Sequence, residues 1–345
     1  MQRMRRAFAA DSRKLPEKKV DVSELHKFLF EGLPVRGMVV RLTDAWTDIL
    51  KRRAASSTGA YPAPVQNLLG EMVAAGALMQ SNIKFNGALI LQIFGDGPVK
   101  LSVVEVQADL SLRATATVRG EVAADAGLSA MVNEHGLGRC AITLDPKRNL
   151  PGQQPYQGVV PLSNAEEQPL GQLSEVLQNY MRQSEQLETT LVLAANDQVA
   201  AGLLIQRLPM EGAGNLAGQH EQTAQELNEH YHRIAVLASS LKREELLTLD
   251  VETILRRLFW EEKLQRFEPL VGESAPRFAC TCSRERVSRM IQNLGEPEAN
   301  DIIAEVGGIA VGCEFCGAQY RFDAIDVAQI FKTVGEQPPS SEAVQ

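Results

Sequence analysis

The sequence lacks both a long apolar run and an excess of positive charge. No stretch approaches the eighteen or more consecutive apolar residues that a membrane-spanning helix requires. The 345 residues carry a formal net charge of −8, which disfavours binding to a phosphate backbone. We therefore expect neither a membrane protein nor a nucleic-acid-binding protein. The hydrophobic content of 44% is enough for a true core, in about two domains by length.

The start of the chain lacks the apolar segment of a secretory signal. Residues 1–20 are basic, but no apolar run follows them. We expect a disordered basic arm and a cytoplasmic protein. In that compartment, closely paired thiols hold metal more often than they form resting disulfides. Residues 335–345 have the composition of a disordered tail.

Catalytic motifs are also missing. No nucleophile elbow, HExxH motif, P-loop or supported carboxylate pair stands out, so we expect no enzymatic activity. Residues 212–218 are rich in glycine, but the third glycine comes one position late for a dinucleotide loop, which favours a hinge. His220, His230 and His232 lack further ligands and are expected to be surface residues. Cys140, alone in a strand-like segment, is expected to be a small buried hydrophobe.

What the sequence does contain is a cluster of cysteines in its last fifth. Four of the five cysteines form two close pairs, Cys280-Thr-Cys282 and Cys313-Glu-Phe-Cys316. Two such pairs, roughly thirty residues apart, can converge as four thiolate ligands of a tetrahedral zinc ion. Structural disulfides or unrelated buried thiols are the alternatives, and the paired spacing without an export signal disfavours both. We predict one Zn²⁺ bound by these four cysteines.

The predicted metal would supply much of the folding free energy of this small segment. A structural zinc ion contributes about 10–16 kcal/mol. If each close pair were oxidised to a disulfide, each bond would close a loop of only three or four residues and contribute about 2 kcal/mol. Neither bond would join the two halves of the segment, as the metal does. The spacing therefore suits an order-to-disorder switch that oxidation triggers.

Four arginines flank the first cysteine pair, at positions 277, 284, 286 and 289. Positive neighbours favour thiolates, which bind metal and react with oxidants. An ordinary solvated helix face explains the same residues equally well, so both interpretations stay open.

Periodicity predicts an α+β fold, because strands occur in runs and helices lie between the runs. We predict helices over residues 21–33, 62–80 and 166–186. We predict strands over residues 35–42, 88–94, 101–108, 112–118, 138–144, 157–160, 189–195 and 198–208.

From about residue 219 to residue 264 the pattern is helical and strongly charged, with a narrow apolar stripe. A narrow stripe buries little surface, so such helices depend on docking against a neighbour. We predict five segments: a basic arm (1–20), a mixed α/β core domain (21–210), a helical linker (211–273), a zinc-binding redox-switch domain (274–334) and a tail (335–345).

The strings CTCSRER at residues 280–286 and CEFCG at residues 313–317 resemble the bacterial redox-regulated heat-shock holdase family, also called the 33 kDa chaperonin. The resemblance extends from about residue 24 to residue 333. It includes FLFEGLPVRG at 28–37, YQGVVPL at 156–162, YMRQSEQLETT at 180–190 and ELLTL at 245–249.

This resemblance implies a cytoplasmic, ATP-independent chaperone that is an inactive, zinc-bound monomer when reduced. Oxidation is then expected to form the disulfides Cys280–Cys282 and Cys313–Cys316, with release of the zinc. The switch domain and the linker are expected to unfold, and the protein to bind unfolding client proteins as a homodimer. Candidates for client contact are the apolar linker residues Leu227, Tyr231, Ile234, Leu258 and Phe259.

Two other functions use the same cysteines. A zinc-ribbon nucleic-acid-binding protein needs a basic surface, but residues 276–333 carry six Lys/Arg against eight Asp/Glu, a net of −2. A thiol oxidoreductase would place Cys313-Glu-Phe-Cys316 at a helix start beside a strand, and the surrounding sequence lacks that βαβ setting.

Overall fold

Two large sheets and one hairpin organise the computed structural model, which describes residues 22–147, 154–209 and 224–332. The strands are β1 (Glu24–Phe30), β2 (Val35–Leu42), β3 (Gly87–Phe94), β4 (Val99–Gln107), β5 (Ser111–Val118), β6 (Arg139–Pro146), β7 (Tyr156–Pro161), β8 (Thr189–Ala195), β9 (Ala200–Arg207), β10 (Leu264–Arg266), β11 (Arg277–Phe278), β12 (Ile309–Gly312) and β13 (Gln319–Phe322). The helices are α1 (Asp44–Ala54), α2 (Ala63–Asn82), α3 (Leu128–Val132), α4 (Leu173–Ser184), α5 (Ala224–Ser239), α6 (Arg243–Thr248), α7 (Val251–Phe259), α8 (Arg284–Leu294), α9 (Glu296–Val306) and α10 (Ala324–Lys332).

Helix α2 is the centre of the main core. The five-stranded sheet has the order β10-β1-β2-β9-β8 and the six-stranded sheet the order β11-β5-β4-β3-β6-β7. Helix α2 contacts strands of both sheets. It is apolar on every side and buried over most of its length, as a helix between two layers must be. The α+β fold class predicted from the sequence is therefore confirmed.

The first predicted helix is wrong. Residues 24–30 form strand β1, which pairs antiparallel with β2. Leu25, Phe28 and Leu29 have helical spacing, but Phe28 and Phe30 alternate and both are buried. Gly32, at φ +76°, turns the chain back into β2. The cross-strand pairing therefore overrides a weak local helical pattern.

Most other predicted elements are present with shifted ends. The predicted helix 62–80 is α2, and each predicted strand overlaps an observed strand. The predicted helix 166–186 shortens to α4, because residues 163–169 form a turn closed by a bridge between Ser163 and Pro169. Helix α1 was not predicted. The glycine-rich segment 212–218, the basic arm and the tail lie outside the described residues.

Helices α5, α6 and α7, together called the connector here, pack on the five-stranded sheet. They form a second apolar cluster with β1, β2, β8 and β9. The ring of Phe259 lies edge-on to that of Phe30, with centroids 5.1 Å apart. Asp250 caps α7 by accepting a hydrogen bond from the Thr253 amide at 2.8 Å, so α7 begins as a helix separate from α6. The connector thus packs against the five-stranded sheet, as expected for helices with only a narrow apolar stripe.

Residues 264–279, called the edge strap here, follow the connector and run along the edges of both sheets. β10 pairs antiparallel with β1, and Leu270 exchanges two backbone hydrogen bonds with Leu25. β11 pairs in parallel with β5. The edge strap therefore lies between the connector and the first cysteine pair and contacts both sheets.

Residues 280–332, called the cysteine module here, contain α8, α9, α10 and the β12–β13 hairpin. Their apolar cluster is small and separate from the other two, with six buried members: Val287, Ile291, Ala299, Ile309, Phe322 and Val327. The predicted boundaries of the linker (211–273) and the switch domain (274–334) stay a prediction.

Candidate metal centre

The first cysteine pair lies in the short segment between β11 and α8. Pairing of β11 with β5 fixes the chain up to Ala279, whose amide donates to the Leu112 carbonyl at 3.0 Å. Ser283 then caps α8 by accepting a hydrogen bond from the Arg286 amide. Residues i and i+2 of an extended segment lie on one side. Cys280 and Cys282 are accordingly half-buried, while Thr281 between them is exposed.

The second pair lies in the turn of the β12–β13 hairpin. The Cys313 amide donates to the Ala318 carbonyl, and the Gly317 amide donates to the Cys313 carbonyl, both at 2.8 Å. Gly317 has φ +76°, a left-handed conformation that favours glycine. This tight turn lets Cys313 and Cys316 face the same point.

The structure brings all four cysteine sulfurs together. The Sγ atoms of Cys280, Cys282, Cys313 and Cys316 lie within 4.8 Å of one another. Sγ of Cys280 is 3.7 Å from that of Cys313, and Sγ of Cys282 is 3.3 Å from that of Cys316. Zinc–sulfur bonds of about 2.3 Å in a tetrahedron place sulfurs about 3.8 Å apart. The cluster therefore fits a tetrahedral metal ion in size and ligand type.

The four thiols are electrostatically unequal. Burial opposes ionisation of Cys282, but hydrogen bonds from Tyr320 and from the neighbouring thiols lower its pKa to about 7. Burial raises the pKa of Cys313 and that of Cys316. One thiolate thus forms readily, while further ionisation places like charges side by side. A bound divalent cation offsets that repulsion and stabilises all four thiolates.

Three neighbours of the centre were not predicted from the sequence. The Tyr320 hydroxyl donates to Sγ of Cys282 at 3.1 Å. On β5, Nη1 of Arg113 lies 3.7 Å from Sγ of Cys280, and its guanidinium stacks 4.2 Å from the ring centre of Phe315. Tyr320 and Phe315 lie close to the cysteines in sequence and could have been considered. Arg113 is 167 residues from Cys280, so only the tertiary structure shows it.

Three of the four arginines that flank the first pair contact groups other than the cysteine sulfurs. Arg277 pairs with Asp109 at 2.5 Å, and Arg284 pairs with Asp326 at 2.8 Å. Arg286 donates to the Thr281 carbonyl at 2.9 Å, and Arg289 is exposed. These contacts favour the interpretation as an ordinary helix face over direct support of thiolates.

Of the remaining candidates, Cys140 is buried as predicted, His232 is exposed, His230 is half-buried, and His220 lies outside the described residues. Cys140 is fully buried on β6, and burial raises the pKa of its thiol to about 12. Within residues 22–147, 154–209 and 224–332, the four clustered cysteines are the one group of three or more His, Cys, Asp or Glu residues suited to a metal. Over the same ranges, no helix is long and apolar enough to span a membrane.

Comparisons with known proteins agree with this arrangement. A family model described as Hsp33 protein matches residues 23–323. The 33 kDa chaperonin of Chromobacterium violaceum is 44% identical over 308 residues, which cover 89% of this chain and 93% of that protein. The 33 kDa chaperonin of Neisseria meningitidis serogroup B is 40% identical over 307 residues, covering 88% and 90%.

The fold also matches a solved structure. The crystal structure of the 33 kDa chaperonin, a heat shock protein 33 homolog, from Thermotoga maritima superposes with a TM-score of 0.68 at 19% identity. The match covers 91% of this chain and 99% of that one. At this identity the likeness concerns the fold.

Proposed function

Because the chain belongs to the Hsp33 family, we propose that it is a redox-regulated, ATP-independent chaperone that binds unfolding proteins and has no enzymatic activity. The observation that carries the proposal is the convergence of four cysteine sulfurs from two separate segments of the module. We propose Zn²⁺ as the ion, held by Cys280, Cys282, Cys313 and Cys316. When bound, it cross-links the C-x-C segment to the hairpin.

Oxidation would remove all four ligands at once. We propose that Cys280 pairs with Cys282, and Cys313 with Cys316. Each pair of zinc-bound thiolates loses two electrons as one S–S bond forms. The matching reduction breaks the O–O bond of one hydrogen peroxide molecule, which takes two protons from the solvent and leaves as two molecules of water. Each new bond lies within one segment, so neither bond holds the C-x-C segment to the hairpin.

The module has little else to keep it folded. Its apolar cluster has only six buried residues, and a segment of this size seldom folds on its core alone. Loss of the metal is therefore expected to unfold the module. The edge strap then loses its attachment at Cys280, and the connector that precedes it loses a fixed end.

The connector supplies the surface that clients would bind. Five apolar residues of the connector are buried: Leu227, Tyr231, Ile234, Leu258 and Phe259. All of them except Leu227 belong to the apolar cluster that the connector forms with the five-stranded sheet. Burial in the docked state explains an inactive reduced form, and release exposes a contiguous apolar face. The same exposed face supports our proposal of a homodimer after oxidation and a monomer before it. We place the protein in the cytoplasm.

Suppression of the aggregation of a heat-denatured client protein tests this proposal. Wild type, Cys280→Ser and Cys140→Ser are each assayed with dithiothreitol and after hydrogen peroxide treatment, with bound zinc measured in each sample. We expect wild type and Cys140→Ser to bind zinc and to suppress aggregation only after oxidation. Equal suppression by reduced and oxidised wild type would remove the switch from the account.

A further inference from the structure

The contact between the cysteine module and the core depends on arginines. The apolar cluster of the module is separate from the two clusters of the core. Where the edge strap meets the core, Arg277 pairs with Asp109, and Arg52 stacks 4.4 Å from the ring centre of Phe278. Where the module itself meets the core, Arg113 contacts Cys280 and Phe315. Docking therefore rests on a few directional contacts.

Arg113 has three partners. Its Nη2 pairs with Oε2 of Glu105 on β4 at 2.5 Å, and both side chains are only 14% exposed. Because this ion pair is largely shielded from solvent, its two side chains are ordered and the guanidinium is held in one orientation. The remaining edge of the guanidinium faces Sγ of Cys280, and its plane covers the Phe315 ring. An ammonium group cannot reproduce this combination of paired hydrogen bonds and stacking.

The two module partners of Arg113 come from different halves of the centre. Cys280 belongs to the C-x-C segment, and Phe315 lies inside the turn between Cys313 and Cys316. They lie together under Arg113 because the four sulfurs converge. If the C-x-C segment and the hairpin separate, Arg113 cannot contact both.

We propose that Arg113 is a positioning residue that holds the assembled cysteine centre on the core and so keeps the connector docked. The inference rests on the proposed function and adds a step to it: docking of the module restrains the connector, in addition to folding of the module. Assembly of the centre completes the Arg113 site, and the edge strap transmits the docked state to the connector. Separation of the two halves removes both module partners of Arg113 together.

A purely structural role for Arg113 makes a different prediction. If Arg113 only balances the charge of Glu105, then Arg113→Lys, which keeps that charge, should behave as wild type. If Arg113 positions the centre, lysine should fail because it neither stacks on Phe315 in this geometry nor forms the same paired bonds. Phe315→Leu provides a second route, since it removes the stacking and leaves the Arg113–Glu105 pair in place.

The experiment uses full-length, reduced, zinc-loaded protein. Arg113→Lys and Phe315→Leu are compared with wild type and with Arg119→Lys, an exposed arginine just beyond β5. The readouts are zinc per chain, hydrogen exchange of the edge strap and of α7, and suppression of client aggregation without oxidant. Both variants are expected to keep one zinc per chain, to exchange the edge-strap amides about tenfold faster, and to suppress aggregation while still reduced.

Several results would overturn the inference. Edge-strap exchange in Arg113→Lys and Phe315→Leu that matches wild type means that the contact does not hold the module. Faster exchange together with loss of zinc means that these residues support folding of the module rather than its docking. If wild type itself shows no dependence on oxidation, the proposed function fails. A normal switch in wild type with unaffected variants removes only the role of Arg113.

Discussion

At the scale of single residues, Glu71 shows how strongly burial can change the pKa of a side chain outside the cysteine cluster. Glu71 lies on α2 beside a cavity of about 450 Å³, and its carboxylate is 3.5 Å from Arg243 of α6. Burial raises the pKa of Glu71 from 4.5 to about 7, and the charge of Arg243 offsets this only in part. The folded protein therefore binds a proton here that the unfolded chain releases at lower pH.

The raised pKa of Glu71 predicts how the substitution Glu71→Gln changes the pH dependence of stability. The native pKa is above the unfolded value, so the stability that Glu71 contributes is present at low pH and is lost as pH rises from about 4.5 to about 7. Relative to wild type, the free energy of unfolding of Glu71→Gln should rise by about 2–3 kcal/mol between pH 5 and pH 8. Urea titrations at several pH values measure it. Glu244→Gln, at an exposed position on α6, is the control, and a pH-independent difference for Glu71→Gln would contradict the prediction.

Tyr320 gives a second prediction at this scale. Its hydroxyl donates to Sγ of Cys282, and this hydrogen bond raises the pKa of Tyr320 to about 12. Donors to metal ligands typically change metal affinity by about 10–100-fold. Tyr320→Phe should therefore bind Zn²⁺ roughly tenfold more weakly, in a competition titration with a chelator. Tyr156→Phe, at an exposed tyrosine on β7, should match wild type; unchanged affinity in both variants would exclude a role for the hydrogen bond.

At the scale of elements, the sequence predicted a helix or strand correctly where its apolar residues follow a clear pattern. The sequence pattern failed where pairing with another strand determines the structure. Strands β3 and β4 have alternating apolar residues that match their burial, and α2 is a long apolar segment that is buried over most of its length. Strand β1 was mistaken for a helix because its identity depends on pairing with β2. β11 is only two residues long and exists because β5 offers an open edge. A strand of two residues is too short to show the alternation of apolar and polar residues from which strands are predicted.

The connector provides a prediction at this scale, with a control on the adjacent residue. Phe259 is 2% exposed and packs against Phe28 and Phe30, whereas Trp260 is 73% exposed. Truncating a buried phenylalanine lowers the free energy of unfolding by about 3–5 kcal/mol. In this protein the lost contacts are those that hold α7 against the sheet. Phe259→Ala should make the connector sensitive to trypsin in the reduced, zinc-loaded protein. Trp260→Ala should be as resistant as wild type, and equal sensitivity of both variants would contradict the assignment.

At the scale of the whole molecule, the three apolar clusters differ in what holds them together. The two core clusters are built on the large sheets, and the module has six buried apolar residues and four clustered cysteines. The spacing of the cysteines predicted that their four sulfurs would converge, and they do. The sequence did not predict the docking of the module, because Arg113, Glu105 and Asp109 are distant in sequence and are brought to Cys280, Phe315 and Arg277 only by the folded sheets.

The central claim is that one metal ion joins two halves of the module that local disulfides cannot join. Bound zinc and hydrogen exchange, measured on the same reduced and peroxide-oxidised samples, test it most directly. We predict that oxidation releases one zinc per chain and abolishes protection across residues 280–332 and then across the connector, while α2 and the large sheets stay protected. Protection of residues 280–332 that survives complete loss of zinc and formation of both disulfides would contradict the account.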